Sequence, residues 1–154
     1  MSTNPYGTPR ADVRRDENLP VRPITGIVVG LLIDLGGTIL VVALINFVYA
    51  VYAASQGASV AELQAVLTNP DPWSALGIVD TLAGMGMSYL AGFYCLRISR
   101  GTNLRYPLFL ALIVFVIGTA MGLAWSDMNV FLLFGLSALT IGVTLLGGAS
   151  ALEK

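Results

Sequence analysis

The sequence predicts an all-α membrane protein: an antiparallel bundle of four transmembrane helices with its N-terminus and C-terminus on the cytoplasmic side. Three observations carry this expectation. The chain contains four long apolar runs. Charged residues make up only 11% of its 154 residues, against about 25% in a soluble domain whose surface must be solvated. The eight basic residues all fall in the segments that alternate topology assigns to one side.

Residues 1–23 are polar and interrupted by Pro5, Pro9, Pro20 and Pro23, with Arg10, Arg14, Arg15 and Arg22 set against Asp12, Asp16 and Glu17. Such a stretch buries too little apolar surface to offset the entropy of ordering, so it reads as a disordered tail. The first apolar run, 24–54, is too long and too far from the start for the h-region of a signal peptide. Cleavage near Ala53 or Ala54 is the lesser reading. A span needs about 20 apolar residues. This run exceeds that, so its outer end projects from the hydrocarbon or the helix tilts.

In the loop 55–72, Ser59 and Glu62 have the spacing of a capping box, each able to satisfy the other's backbone donor. Val60, Leu63, Val66 and Leu67 then share one helical face. A short amphipathic helix on the outer surface is expected, with an ordinary ordered loop as the alternative. Asn69-Pro70 stops that helix. Asp71-Pro72 reads as a cap followed by proline at the first helical position, opening the second span, 73–98. A basic connection carries Arg97, Arg100 and Arg105 into the third span, 104–125. The turn Ser126-Asp127-Met128-Asn129 is tight enough to make the third and fourth spans antiparallel neighbours. The fourth span covers 130–149, the membrane domain is 24–150, and 151–154 is a short cytoplasmic end. A soluble bundle would need a polar stripe on each helix, whereas Leu108 to Ile117 and Val130 to Leu136 are apolar on every side.

Cytoplasmic segments retain excess Lys and Arg. With the N-terminus inside, the tail, the 97–105 connection and Lys154 account for all the basic residues, and the outer segments hold only Glu62, Asp71 and Asp127. Tyr49, Tyr52, Trp73 and Trp125 then fall near the outer interface and Tyr106 near the inner one, which fits helix ends without deciding direction.

The absence of histidine removes the commonest general base and metal ligand. Cys95 stands alone in an apolar helix and reads as a small hydrophobe. Met85, Met87 and Met121 read as packing residues. No phosphate-binding loop, nucleophile elbow or zinc spacing occurs. Neither enzymatic chemistry, a cofactor nor a metal is expected. A net charge of −1, with no basic stripe to override it, argues against nucleic acid as a partner.

Two acids fall inside spans, Asp34 and Asp80. A charge at the bilayer centre costs about 2.5–3.5 kcal/mol or more on insertion scales, which makes each a functional-site candidate. Small residues share their helical faces: Gly30, Gly37 and Thr38 around Asp34; Gly77, Ala83 and Gly84 around Asp80. Both acids therefore face protein or a wet cavity. One reading is a protonatable pair or relay coupled to a transported solute. The favoured reading is two largely neutral carboxyls hydrogen-bonded to Thr38, Thr81, Ser88 or backbone carbonyls, fixing helix packing. Whether the two acids meet is open, since the rise per residue puts them either level or several ångströms apart.

Every span also carries spaced small residues: Gly26 and Gly30; Gly84, Ser88 and Gly92; Gly118 and Gly122; Ala138 and Gly142. These allow close helix approach, within one bundle as the first reading and between copies as the second. Thr140 and Thr144 add hydrogen-bonding capacity to the fourth span.

The tail's Asn4-Pro5-Tyr6-Gly7-Thr8-Pro9 resembles the Asn-Pro-Tyr-x-x-Pro opening of small, mostly uncharacterised bacterial inner-membrane proteins. The resemblance implies a bacterial inner membrane and no particular activity. The expected role is non-enzymatic: a small polytopic protein in the lipid bilayer that acts through helix–helix association, as a homo-oligomer or an accessory subunit of a membrane-protein partner. The alternative is a small proton-linked transporter or channel using Asp34 and Asp80.

Overall fold

The computed structural model describes residues 21–68, 71–125 and 129–152. The expected tail up to residue 20, the Asn69-Pro70 stop, Ser126 to Met128 of the tight turn, and Glu153 and Lys154 lie outside the described residues. Only helices occur among those described: α1 (Pro23–Leu31), a π-helical turn (Leu32–Gly36), α2 (Gly37–Ser55), α3 (Val60–Thr68), α4 (Ala75–Ser99), α5 (Arg105–Trp125) and α6 (Val130–Leu152). Four helical rods among them are long and apolar enough to cross a bilayer: the continuous Pro23–Ser55, then α4, α5 and α6.

Local chemistry explains most helix ends. Pro23 occupies the start of α1, where its missing N–H would have no partner anyway. The first rod has 33 residues, about 50 Å at the α-helical rise, so it outruns a hydrocarbon core about 30 Å thick. Gly57 takes φ +89° just after α2 ends, a left-handed conformation that glycine adopts without a Cβ penalty. In α3, the Glu62 carboxylate accepts from the Ser59 N–H at 2.7 Å and the Ser59 hydroxyl at 2.8 Å, while the Glu62 N–H donates to Ser59 Oγ at 3.3 Å. Asn103 and Asn129 cap α5 and α6, their Oδ1 atoms accepting from Arg105 N–H at 3.1 Å and Phe131 N–H at 2.9 Å.

The start of α4 differs from the sequence expectation. Asp71 does not cap the helix with Pro72 as its first residue. Instead Asp71 closes a turn, accepting from the Trp73 N–H through Oδ1 at 3.0 Å and from the Ser74 N–H through its carbonyl at 2.9 Å. Ser74 then caps, its Oγ accepting from the Gly77 N–H at 3.1 Å. Asp71 and Ser74 are both good caps, and a cap on each side of Pro72-Trp73 lets the turn come first.

Packing is organised around α4, which contacts every other spanning rod. Against the first rod, partners run from Arg22 N–H donating to the Ser99 carbonyl at 3.1 Å, through Ser88 with Asp34, to Asp80 with Asn46. Residue numbers fall along α4 as they rise along the rod. Against α6 they rise together: Ile78 and Leu82 line a cavity of about 140 Å³ with Leu132 and Leu136, and the Tyr89 hydroxyl meets Ser150 Oγ at 2.7 Å. Ala91, Cys95, Leu110 and Val114 form a buried cluster where α4 meets α5, with Ile27 and Leu31 packed on it.

Small residues permit these approaches. A Cβ on Gly26 would lie 2.5 Å from the Cys95 carbonyl oxygen, and one on Gly30 would lie 2.5 Å from Leu110 and 3.2 Å from the Ala91 carbonyl oxygen. On Gly92 it would overlap the Thr144 carbonyl, on Gly147 the Tyr89 carbonyl, and on Gly122 the Leu133 side chain. Gly84 has only an ordinary contact, 3.8 Å to the Thr38 methyl. Two positions expected to pack do not meet another helix of the chain, and a third is exposed. Nothing lies within 4 Å of a Cβ on Gly118 or Gly142, and Ala138 is exposed. On α6 the buried residues are Leu133, Thr144, Gly147 and Gly148, and Gly142 points about 200° away from Thr144 at 3.6 residues per turn. Gly118 sits about two turns beyond Leu110, past the level at which α5 packs against Gly30.

Two outcomes follow from this packing. Gly92→Ala should destabilise the fold by about 1–3 kcal/mol, the usual range for overpacking, whereas Gly142→Ala should change stability by no more than about 0.5 kcal/mol; reversible unfolding in mixed micelles measures both. The hydrogen bonds from Ser59 hold the Glu62 carboxyl below its ordinary range. A folded-state pKa below the unfolded one gives stability present at neutral pH and lost as pH falls through the folded value. Protection of the amides across 60–68, taken relative to their intrinsic exchange rates at each pH, should therefore fall on acidification, and Glu62→Gln should remove that pH dependence.

Candidate intramembrane polar site

The seam between the first rod and α4 holds both spanning acids, at two separate levels. Asp34 lies inside the π-helical turn and is 4% exposed. Ser88, equally buried, donates its hydroxyl to Asp34 Oδ1 at 2.5 Å. Ser88 is roughly 20 Å from the start of α4 and roughly 16 Å from its end at 1.5 Å per residue, so this pair sits near the middle of the helix.

The π turn has a local cause and a consequence. Gly36 and Gly37 close it, and glycine is among the weakest helix formers, so the α-helical register is least protected there. One extra residue enters the hydrogen-bonded ring. Positions 26, 30, 34 and 38, spaced by four, drift round an ideal α-helix that turns every 3.6 residues; the wider turn corrects that drift and keeps the seam facing α4. Gly37 sits against the Met87 methyl, which a Cβ there would overlap.

The second level lies about 8 Å from the start of α4. There Asn46 Nδ2 donates to Asp80 Oδ2 at 3.3 Å and to the Val42 carbonyl at 3.0 Å. Asn46 Oδ1 and Asp80 Oδ1 are buried with no hydrogen-bond partner. Asp80 is less enclosed than Asp34.

The structure therefore does not bring Asp34 and Asp80 together. Their partners are twelve residues apart on the first rod and eight apart on α4, roughly 18 Å and 12 Å of helix. Of the three hydroxyls expected near the acids, only that of Ser88 bonds a carboxyl. The Thr81 hydroxyl donates to the Gly77 carbonyl at 2.8 Å within its own helix, and Thr38 turns its methyl toward Gly84. No Lys or Arg among the described residues lies at the level of either acid; Arg22, Arg97, Arg100 and Arg105 are all at rod ends. Each carboxyl thus has one neutral donor. Each can hold a proton, because a protonated carboxyl becomes a donor as well as an acceptor. Direct transfer between the two levels is too far.

Asn46 was not singled out from the sequence. On an uninterrupted α-helix, twelve residues carry it about 120° round from Asp34, onto another face. One residue added in the π turn takes back about 100°, which returns Asn46 to the seam. An amide within an apolar run was the available signal. Comparisons with models of protein families, with curated proteins and with solved structures find no match to this chain.

Ser88→Ala should cost about 1–3 kcal/mol, because it leaves a buried carboxyl without its donor. The double variant Asp34→Leu with Ser88→Ala should be more stable than Ser88→Ala alone, since removing both partners removes the unsatisfied group. Unfolding of the three proteins under one set of conditions checks the order.

Proposed function

We propose that the chain is a small polytopic membrane protein without enzymatic activity that works through helix–helix association, as a homo-oligomer or as an accessory subunit of another membrane protein. The observation that carries this reading is the division of its small residues. Gly26, Gly30 and Gly92 are used up in contacts within the chain, while Gly118 and Gly142 face outward with nothing within 4 Å of a Cβ, and Ala138 is exposed. Outward small residues let a further helix approach closely in lipid, where apolar surface alone gives no preference for protein over acyl chains. In this reading Asp34 and Asp80 are fasteners of the first rod onto α4.

The membrane arrangement proposed with it is an antiparallel bundle with both termini in the cytoplasm of a bacterial cell, crossing the inner membrane. Arg22, Arg97, Arg100 and Arg105 at one end, with Glu62 and Asp71 toward the other, support this direction. The Asn-Pro-Tyr-x-x-Pro tail supports the compartment. α3 then lies on the outer surface.

A second reading, a proton-linked transporter or channel, is favoured by one specific feature: a buried carboxyl within a π turn at mid-helix, a kind of irregularity that recurs at functional sites. Asp34→Asn and Asp80→Asn distinguish the two. Association predicts a defined oligomer by light scattering of the purified protein, diminished by Gly142→Leu, and no proton-linked flux in vesicles. A monomer whose solute flux vanishes in Asp34→Asn while its helix content is unchanged would favour the carrier. Reporter fusions in the 55–72 loop and at the C-terminus test direction; a cytoplasmic loop would reverse it.

A further inference from the structure

We propose that the arginine-bearing end of the bundle binds the phosphate of an anionic phospholipid in the adjoining leaflet. Three helix ends meet there. The Arg22 N–H donates to the Ser99 carbonyl at 3.1 Å, which ties the start of α1 to the end of α4. Arg100 ends α4 in a left-handed conformation, φ 53°. A short connection then returns the chain to Arg105, the first residue of α5. Arg97 lies two residues before the end of α4, with its guanidinium over the Phe93 ring at 5.8 Å.

These four arginines are exposed, and among the described residues no carboxylate shares their end. Asp34 is paired at mid-helix with Ser88, Asp80 lies toward the far end of α4 with Asn46, and Glu62 and Asp71 belong to the opposite loop. A fourfold positive charge at this rim thus lacks a counter-charge from the described part of the chain. Guanidinium is weakly hydrated and presents a planar fork that fits two phosphate oxygens.

The depth of Arg97 selects a lipid over a soluble anion. It emerges beside Phe93, whose ring meets that of Tyr94 edge-to-face at 5.4 Å, and the Tyr106 ring lies against Gly101 at the same end; such rings are expected at headgroup level. Stacking on Phe93 keeps the cation beside the helix wall. A phosphate reaching both Arg97 and the rim at Arg100 and Arg105 is most readily carried there on acyl chains that lie along α4 and α5. The inference is independent of any transport or oligomeric role.

The test uses the full chain in neutral detergent, with phosphatidylglycerol, phosphatidylcholine and soluble glycerol phosphate as probes, read by native mass spectrometry. Phosphatidylglycerol should bind in preference to phosphatidylcholine, and the preference should fall about fivefold for each of Arg97→Gln and Arg100→Gln, the value of one juxtamembrane charge near an anionic surface. Arg97→Lys, which keeps charge but loses the fork, should fall less than Arg97→Gln. Glycerol phosphate should not compete at matched concentration. Should a glutamine variant fail to fold, the wild type still decides: its preference must decline as added salt screens exposed charge. Equal binding of the two lipids, a preference that survives both substitutions or is indifferent to salt, or effective competition by glycerol phosphate would overturn the proposal.

Discussion

Backbone contact on two sides of α4 is the constraint from which the rest of the structure follows. In lipid, apolar side chains gain little by leaving acyl chains for one another, so helices associate where backbones approach closely and polar groups find partners. Gly92 and Gly147 bring α4 and α6 together at their carbonyls, and Gly26 and Gly30 bring α1 against α4. Ser99, wholly buried at the α1–α4 junction, returns its hydroxyl to the Leu96 carbonyl at 2.9 Å. Its polar atom is thereby satisfied inside its own helix, as burial away from solvent requires.

The first rod meets the same requirement in another way. Its two levels of contact with α4 carry side-chain hydrogen bonds, Ser88 to Asp34 and Asn46 to Asp80. A regular α-helix would let these levels rotate apart. The π turn holds them on one seam, so the irregularity around Asp34 and the pairing of Asp80 share a cause although the residues do not touch. The seam is also unequal: the Asp34 level is enclosed, while the Asp80 level keeps two oxygens without partners.

Much of this was legible in the sequence because it depends on composition and length. Four apolar rods and the Ser59–Glu62 cap follow from local chemistry that distant residues do not alter. The candidate acids were legible too, since a carboxyl in an apolar run is conspicuous. Partner choice was not. Ser88 and Thr81 are equally plausible donors on α4, and only the inter-helix register separates them. Asn46 falls on another face of a uniform 3.6-residue helix, and only the π turn brings it onto the seam. Gly118 and Gly142 have the spacing of packing residues, but spacing alone does not say whether the partner is in the same chain. Gly147 is the converse case, a backbone contact whose glycine stands beside Gly148 outside the simple four-residue spacing that drew attention to other spans.

The most direct test of an α4-centred fold is proximity on both its sides within a single molecule. In a Cys95→Ala background, short-span thiol crosslinking of Asp34→Cys with Ser88→Cys, and separately of Tyr89→Cys with Ser150→Cys, reports the two faces in membranes. Both pairs should link efficiently within one chain, while Val28→Cys with Leu139→Cys should not. Absence of the first two links, or their formation only between chains, would contradict α4 as the centre of the bundle.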